Sequence, residues 1–170
     1  KHYKWEPHFE SVAENPYLDD FYGSMERWSF NLQIYFLNTR FRQILEIRES
    51  GKNIIQDRTI YEDANIFAPN LHAMGLMTNR DFSNYETLFE LMERLVAPPD
   101  LLIYLYVSLS EAHRRGRSGT GWTQAYLDEE CHRLRHARAH CNYYLHTDGL
   151  TEREVLERAL AFLRGRTADG

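Results

Sequence analysis

The sequence predicts an α/β fold in which a parallel β-sheet is flanked by helices. The stretch DLLIYLYVS, residues 100–108, is apolar without polar alternation, as in a parallel strand covered on both faces. Two further short strands, NIIQ (53–56) and CNYYLHT (141–147), are separated by helical segments. This alternation of strands and helices indicates a parallel sheet with right-handed crossover connections.

The helices follow from amphipathic segments whose apolar side chains recur at helical spacing. Four segments predict helices: residues 25–48, 84–96, 125–140 and 151–166. Gly51 ends the first helix, and Pro98 with Pro99 closes the second. Thr151 and Glu154 predict a capping box at the start of the last helix.

Composition limits the classes of function. The chain has 170 residues, enough for one domain with a real core. Its net charge of −5 argues against nucleic-acid binding, although a basic cluster at 114–138 keeps a small anion among the candidate ligands. The sequence shows neither a transmembrane run nor a secretory signal, so no membrane partner is expected. Two cysteines favour a cytoplasmic location.

Charged residues directly follow the strand NIIQ. In open parallel sheets, ligands bind in the crevice beyond the carboxyl ends of the strands. Asp57 and Arg58 lie at such an end, so we expect them to face a site. A structural salt bridge between these two side chains is the alternative interpretation.

Four blocks of sequence carry a resemblance to a known family: FESVAENPYLDDFY, MERWSFNLQIYFLNTRF, IIQDRTIYEDANIFA and PDLLIYL. From about residue 3 to 105, the chain resembles the deoxynucleoside kinases, particularly their bacterial deoxyadenosine/deoxyguanosine kinase branch. The resemblance implies a P-loop-kinase-like fold. It also implies transfer of the γ-phosphoryl group of ATP to the 5′-hydroxyl of a deoxynucleoside, with a purine favoured and Mg²⁺ as cofactor.

Three residues match catalytic positions of the family. The resemblance makes Glu10 the general base on the 5′-hydroxyl, although the family usually has EPV where this chain has ESV. It places Asp57 near Mg²⁺ and Arg58 on the phosphate and the reacting hydroxyl. Phosphoryl transfer mostly requires positioning and charge neutralisation, to which a carboxylate base and a guanidinium fork are suited. Glu10 as an ordinary surface acid is the alternative.

Six residues match substrate-binding positions of the family: Tyr22, Trp28, Phe30, Gln33, Arg40 and Asp63. The resemblance implies that Tyr22 binds the 3′-hydroxyl of deoxyribose. Gln33 would hydrogen-bond the base edge bidentately, because an amide both donates and accepts. Arg40 and Asp63 would help to set base preference. The alternatives are that the two aromatic residues simply pack in the core and that Arg40 is a solvated helix residue.

The family's phosphate-binding loop, G-x-x-x-x-G-K-[ST], does not occur in this sequence. Its backbone N–H groups and lysine hold the donor phosphates, so the donor site is incomplete. Its strand is central in the family's sheet, so we expect unpaired strand edges. We also expect that the sequence is truncated or incompletely assembled, because it starts at Lys1 rather than at Met. The alternative is a catalytically inactive nucleoside-binding or structural protein.

The match fades after about residue 105. Residues 106–122 are lid-like, with Arg114, Arg115 and Arg117 roughly where the family has phosphate-binding lid arginines. Residues 123–170 keep a helix–strand–helix order but diverge in sequence. We therefore predict one kinase-like domain over residues 1–170. The long helix from Met25 to Arg48 is the kind of element that the family uses to form homodimers.

A histidine series offers a separate interpretation. His132, His136 and His140 are spaced four residues apart, and Cys131 and Cys141 bracket them, so a helix would align potential zinc ligands. Arginines interleave the histidines and crowd the segment with positive charge. A solvated helix face is the better account.

Overall fold

The computed structural model describes residues 3–9, 15–115 and 138–168. Contacts between residues group the chain into two compact units, Lys1–Pro98 and Pro99–Gly170. The expectation of a single kinase-like domain stays a prediction. No described helix has the length and apolarity that crossing a membrane requires.

The first unit combines a two-stranded parallel sheet with helices. Its elements are β1 (Glu6–His8), α1 (Leu18–Gly23), α2 (Met25–Ser50), β2 (Ile54–Gln56), α3 (Ile60–Glu62), a π-helical turn (Asp63–Phe67), α4 (Ala68–Ala73) and α5 (Asn79–Glu93). Glu6 lies opposite Ile54 and His8 opposite Gln56 in the parallel pair. The strand predicted at NIIQ is confirmed, whereas β1 was not predicted.

Helix α2 forms as predicted and is the longest element. Gly51 adopts a left-handed conformation with φ of 62° directly after it, which ends the helix without the steric cost of a side chain. One face of α2 is buried and includes Leu32 and Leu37. This face joins the core of the first unit, whose buried members are Phe21, Leu32, Leu37, Ile60, Ala68, Leu71, Met77, Tyr85 and Val96.

A capping box fixes the start of the helical segment after β2, and the helix then widens into the π-helical turn. The Thr59 side chain accepts a hydrogen bond from the Tyr61 N–H, and the Glu62 carboxylate accepts one from the Thr59 N–H. The following π-helical turn precedes Pro69, which has no N–H to donate to the preceding turn. Helices commonly widen or kink where this hydrogen-bond ladder is interrupted. Asp63 is the first residue of the widened turn.

Helix α5 begins five residues before the predicted start at residue 84. Thr78 caps it by accepting a hydrogen bond from the Asp81 N–H at 3.2 Å. The helix ends at Glu93, ahead of the two prolines. Residues 79–83 were missed because the Thr78 cap outweighs their weak apolar pattern.

The second unit contains β3 (Ile103–Tyr106), α6 (Leu109–Arg114), β4 (Tyr143–His146) and α7 (Glu152–Ala168). The two strands pair in parallel, from Ile103 opposite Tyr143 to Tyr106 opposite His146. Both strands and the capping box at α7 were predicted and are confirmed: the Thr151 N–H donates to the Glu154 carboxylate at 2.8 Å. The predicted helix at 125–140 lies mostly outside the described residues.

Two details of the sheet differ from the prediction. The described strands form two parallel pairs, β1–β2 and β3–β4, where one sheet was expected. Within the described residues, each of these strands therefore pairs along one edge only. Leu105 in β3 is 54% exposed, so the apolar run is not covered on both faces at that residue.

Candidate active site

The carboxyl end of β2 presents two charged side chains. The Asp57 N–H donates to the His8 carbonyl oxygen at 2.8 Å, which fixes this backbone to the end of β1. The side chains of Asp57 and Arg58 are both exposed. The Arg58 guanidinium lies over the Phe67 ring, 4.9 Å from its centroid. The expectation that the pair faces a site stays a prediction.

The backbone of Arg58 is strained. Its φ is 63°, and it is the only non-glycine residue with positive φ in the described part of the chain. The left-handed conformation costs a residue with a side chain roughly 1–2 kcal/mol. Such strain persists only where the surrounding structure imposes it, and it concentrates at functional sites.

Polar side chains are buried along one face of α2. Ser29, Gln33 and Arg40 are spaced four and seven residues apart, so they lie on the same side of the helix, and each is at most 4% exposed. The Ser29 hydroxyl donates to the Met25 carbonyl oxygen at 2.6 Å. The side-chain oxygen of Gln33 has no hydrogen-bond partner among the described residues. A buried acceptor left unpaired is costly, so this amide is poised to receive a ligand group.

Arg40 forms a buried ion pair with Asp63 from the π-helical turn. The Arg40 Nε contacts the Asp63 Oδ2, and the two side chains are 3% and 2% exposed. The guanidinium also lies 5.3 Å from the centroid of the Phe36 ring. The structure thus brings together the two residues matched to base preference, and it excludes the alternative that Arg40 is a solvated helix residue.

The aromatic residues matched to the substrate occupy different environments. Trp28 and Phe30 are half-buried and pack against the core, and Trp28 also lies 5.9 Å from the Tyr17 ring. Packing in the core, the alternative interpretation, is thus part of what both side chains do. Tyr22 is 50% exposed, and its ring meets the Phe21 ring edge-on with 5.4 Å between the ring centroids.

Two of the three lid arginines are held by one carboxylate in the second unit. The Glu111 carboxylate accepts hydrogen bonds from Arg114 Nε and Nη2 at 2.6 Å and from Arg115 Nε at 2.8 Å. Arg115 also donates to the Thr147 carbonyl oxygen at 2.9 Å. These hydrogen bonds lower the pKa of Glu111 to about 2. Glu111 therefore fixes two cations beside each other at the start of the lid-like segment.

The hydrogen bonds of Glu111 with Arg114 and Arg115 predict that the folded chain loses stability in acid. Because the pKa is lowered in the folded chain, the contribution of Glu111 is complete above about pH 4.5 and is lost as the pH falls toward 2. The melting temperature of Glu111→Gln should therefore fall less than that of the wild type over this pH range. Glu157→Gln is the control: it alters an exposed pair with Arg153, and its melting temperature should change with pH as that of the wild type does. Equal pH dependence in Glu111→Gln and the wild type would refute this role.

Several residues singled out in the sequence lie outside the described residues: Glu10, Arg117, Cys131, His132 and His136. Their roles stay predictions. Within residues 3–9, 15–115 and 138–168, no three histidine, cysteine or carboxylate side chains are grouped to hold a metal ion.

Comparison with known proteins identifies the family. The family model described as deoxynucleoside kinase matches residues 1–127, about three quarters of the chain. The chain belongs to the deoxynucleoside kinase family. The match extends beyond residue 105, so the lid-like segment is part of the family region, and the divergence begins later than the sequence led us to expect.

Curated members of the deoxynucleoside kinase family are similar over the same region. The chain is 45% identical over 132 residues to the deoxyadenosine/deoxycytidine kinase of Bacillus subtilis, covering 72% of this chain and 59% of that protein. It is 43% identical to the deoxyadenosine kinase of Dictyostelium discoideum, covering 64% and 44%. A deoxyguanosine kinase of Lactobacillus johnsonii is 40% identical, covering 66% and 53%. The chain thus spans about half the length of these relatives.

Solved structures of a deoxynucleoside kinase share the fold. The deoxyadenosine kinase from M. mycoides with bound dATP matches with a TM-score of 0.75 and 27% identity, over 94% of this chain and 87% of that one. The same enzyme with bound dCTP matches equally well, at 26% identity over 95% and 86%. The predicted P-loop-kinase-like α/β fold is confirmed.

Sequence reasoning missed the structural surroundings of two residues, Glu111 and Tyr85. Glu111 could have been found, because it lies three and four residues before the arginines, where helical side chains meet. Tyr85 could not, because its place in the apolar pattern of α5 identifies it only as a core residue. Burial of its hydroxyl becomes visible only in the folded chain.

Proposed function

We propose that the chain is a kinase that transfers the γ-phosphoryl group of ATP to the 5′-hydroxyl of a purine deoxynucleoside. The buried polar face of α2 carries this proposal, because it ends in the Arg40–Asp63 ion pair and contains the unpaired oxygen of Gln33. Buried polar groups of this kind recognise a polar planar ligand, since leaving them unpaired is costly. Family membership and relatives named as purine deoxynucleoside kinases support the same substrate class.

The residues divide the task between base, sugar and phosphate. Gln33 hydrogen-bonds the base edge, Arg40 and Asp63 discriminate its exocyclic groups, and Trp28 and Phe30 enclose the ring. The exposed Tyr22 receives the 3′-hydroxyl. Asymmetric hydrogen bonding from an amide and an ion pair favours one base over another because a mismatch leaves buried groups unpaired.

Phosphoryl transfer requires a base and positive charge around the transferring group. Glu10 takes the proton of the 5′-hydroxyl, and the strained Arg58 directs its guanidinium to the attacking oxygen and the phosphate. Arg114, Arg115 and Arg117 bind phosphate oxygens from the lid. The guanidinium geometry suits this task because its planar donors meet two oxygens at once.

The exposed Asp57 carboxylate fits a magnesium site. Mg²⁺ is usually held by one or two carboxylates together with substrate phosphates rather than by a cage of protein ligands. When bound, Mg²⁺ neutralises charge on the phosphate oxygens.

The proposal extends to a cytoplasmic homodimer. Helices α2 and α5 leave Leu45 and Leu91 exposed at 39% and 55%, and a second copy of the chain would remove such apolar side chains from water. Sedimentation equilibrium measures the oligomeric state directly, and a monomer at micromolar concentration would contradict the proposed homodimer.

Calorimetry and a transfer assay test the proposed function together. We expect the chain to bind deoxyadenosine or deoxyguanosine more tightly than thymidine, and to form the labelled 5′-monophosphate from γ-labelled ATP. The sequence contains no G-x-x-x-x-G-K-[ST] loop, so binding and transfer are separate readouts. Binding without transfer supports an inactive nucleoside-binding protein, and loss of both supports a protein with an interaction role.

A further inference from the structure

Asp148 joins the end of β4 to the start of α6 in the second unit. Its carboxylate Oδ1 accepts a hydrogen bond from the Ser108 N–H at 2.8 Å, although the two residues lie 40 positions apart in the sequence. Ser108 in turn caps α6, because its hydroxyl accepts from the Glu111 N–H at 3.3 Å and its carbonyl oxygen accepts from the Ala112 N–H at 2.8 Å. The side chain of Asp148 thus holds the residue from which α6 begins.

The Asp148 carboxylate is itself fixed in place. Its second oxygen, Oδ2, lies 3.2 Å from His146 Nε2. The next residue, Gly149, adopts a left-handed φ of 69°, a conformation of tight turns that glycine reaches without a steric cost. Hydrogen bonds from the side chain and the backbone of Ser108 hold the pKa of Asp148 below its usual range. The carboxylate is therefore ionised at neutral pH.

The residue before Asp148 holds the other end of α6. The Thr147 carbonyl oxygen accepts a hydrogen bond from Arg115 Nη2 at 2.9 Å. The Thr147 N–H and hydroxyl both donate to the Tyr106 carbonyl oxygen at 2.8 Å, which ties this residue to the end of β3. Two consecutive residues after β4 therefore hold both ends of α6.

Helix α6 depends on such support because it has only six residues. Isolated helices shorter than about 12–15 residues are marginal in water. The side chains of Arg114 and Arg115 are 71% and 38% exposed, whereas Glu111, which holds them, is 11% exposed. The hydrogen bonds to Glu111 and Thr147 use Nε and Nη2 of each guanidinium, so an anion can meet the N–H groups of Nη1.

We propose that Asp148 is a positioning residue for Arg114 and Arg115, which it holds in place for phosphate binding by fixing the start of α6. This inference rests on the proposed function, which assigns phosphate binding to these arginines. Asp148 lies beyond residues 1–127, the region that the family model matches, so similarity to the family does not indicate this role. The part of the chain after residue 127 then contributes to phosphate binding through its contacts with α6.

Charge and position predict opposite effects for Asp148→Ala. Removing a negative charge next to Thr147, which contacts Arg115, would by itself favour an anion. Loss of the hydrogen bond to Ser108 instead releases the start of α6. In calorimetry on the full chain with ATP and Mg²⁺, we therefore expect the dissociation constant of ATP to rise about tenfold. The dissociation constant of deoxyadenosine should stay within about twofold of the wild type.

Asp148→Asn is the conservative variant, because its amide oxygen can still accept from the Ser108 N–H. It should bind ATP at least as tightly as the wild type. Asp100→Ala is the matched control, because Asp100 is an exposed aspartate in the same unit. This variant removes the same charge, and its dissociation constant for ATP should not rise.

A double-mutant cycle separates positioning from a general loss of stability. Arg114→Ala combined with Arg115→Ala should weaken ATP binding. Adding Asp148→Ala in this background should change ATP binding far less than it does in the wild type, because the carboxylate acts through the two arginines. A carboxylate that only stabilises the unit would weaken ATP binding equally in both backgrounds.

Several results would overturn the inference. If Asp148→Ala binds ATP as tightly as the wild type or more tightly, Asp148 does not position the arginines, and the proposed function stands. If its effect is undiminished when both arginines are replaced, or if Asp148→Asn is impaired equally, the carboxylate acts in another way. If the wild type does not bind ATP, or if replacing both arginines leaves ATP binding unchanged, the proposed phosphate-binding role falls with the inference. Deoxyadenosine binding by the wild type then tests the rest of the proposed function separately.

Discussion

Asp63→Ala is expected to lower the free energy of unfolding by about 3–5 kcal/mol, the usual effect of removing one member of a buried ion pair. Arg40 is 3% exposed, so the variant would bury a guanidinium without its counter-ion. Urea unfolding at neutral pH measures the change. Glu157→Ala is the control, because its pair with Arg153 is exposed and should contribute little.

A double variant distinguishes stability from recognition. Replacing a buried ion pair by apolar side chains of similar size is often neutral or stabilising, so Arg40→Met with Asp63→Val should recover most of the lost stability. It should still fail to bind deoxyadenosine, because both side chains that we propose to bond the base are gone. If the double variant binds the nucleoside, the pair is structural only. If Asp63→Ala lowers the free energy of unfolding by less than about 1 kcal/mol, Arg40 is not left as a buried charge without a counter-ion.

The elements that were predicted correctly are those whose signals are local. Helix α2 follows from its apolar spacing and Gly51, and the start of α7 follows from Thr151 and Glu154. The missed strand β1 has only three residues, and backbone pairing with β2 defines it. A strand whose stability comes from its partner leaves little pattern in its own residues.

Apart from Asp57 and Arg58 at the end of β2, the site could be predicted only as separate matches to a family. The sequence named Arg40 and Asp63, and the fold shows why they meet: α2 buries one, and the π-helical turn presents the other. The widened turn was not predictable from residue patterns, because its cause is the missing donor at Pro69 in an otherwise helical segment. The pairing of Glu111 was predictable, since a spacing of three and four residues on one helix places its carboxylate beside Arg114 and Arg115.

Arg58→Gly is expected to relieve the backbone strain at this position while it removes the guanidinium. Glycine adopts a φ of 63° without the steric cost, so this variant should be more stable than Arg58→Ala by roughly 1 kcal/mol, after allowing for its greater unfolded-state entropy. Both variants lose the guanidinium. Any phosphoryl transfer should fall by about 10²–10³-fold, as when a donor to the transition state is removed.

The product nucleotide isolates the phosphate contact without requiring turnover. If Arg58 holds the phosphate, Arg58→Ala should raise the dissociation constant of deoxyadenosine 5′-monophosphate by at least about tenfold. The dissociation constant of deoxyadenosine should change little. Arg58→Lys should be intermediate, because an ammonium keeps the charge but lacks the planar fork. Arg80→Ala, an exposed arginine on α5, should leave both affinities unchanged. Equal losses for nucleoside and nucleotide in Arg58→Ala would instead mean that the residue shapes the pocket through its strained backbone.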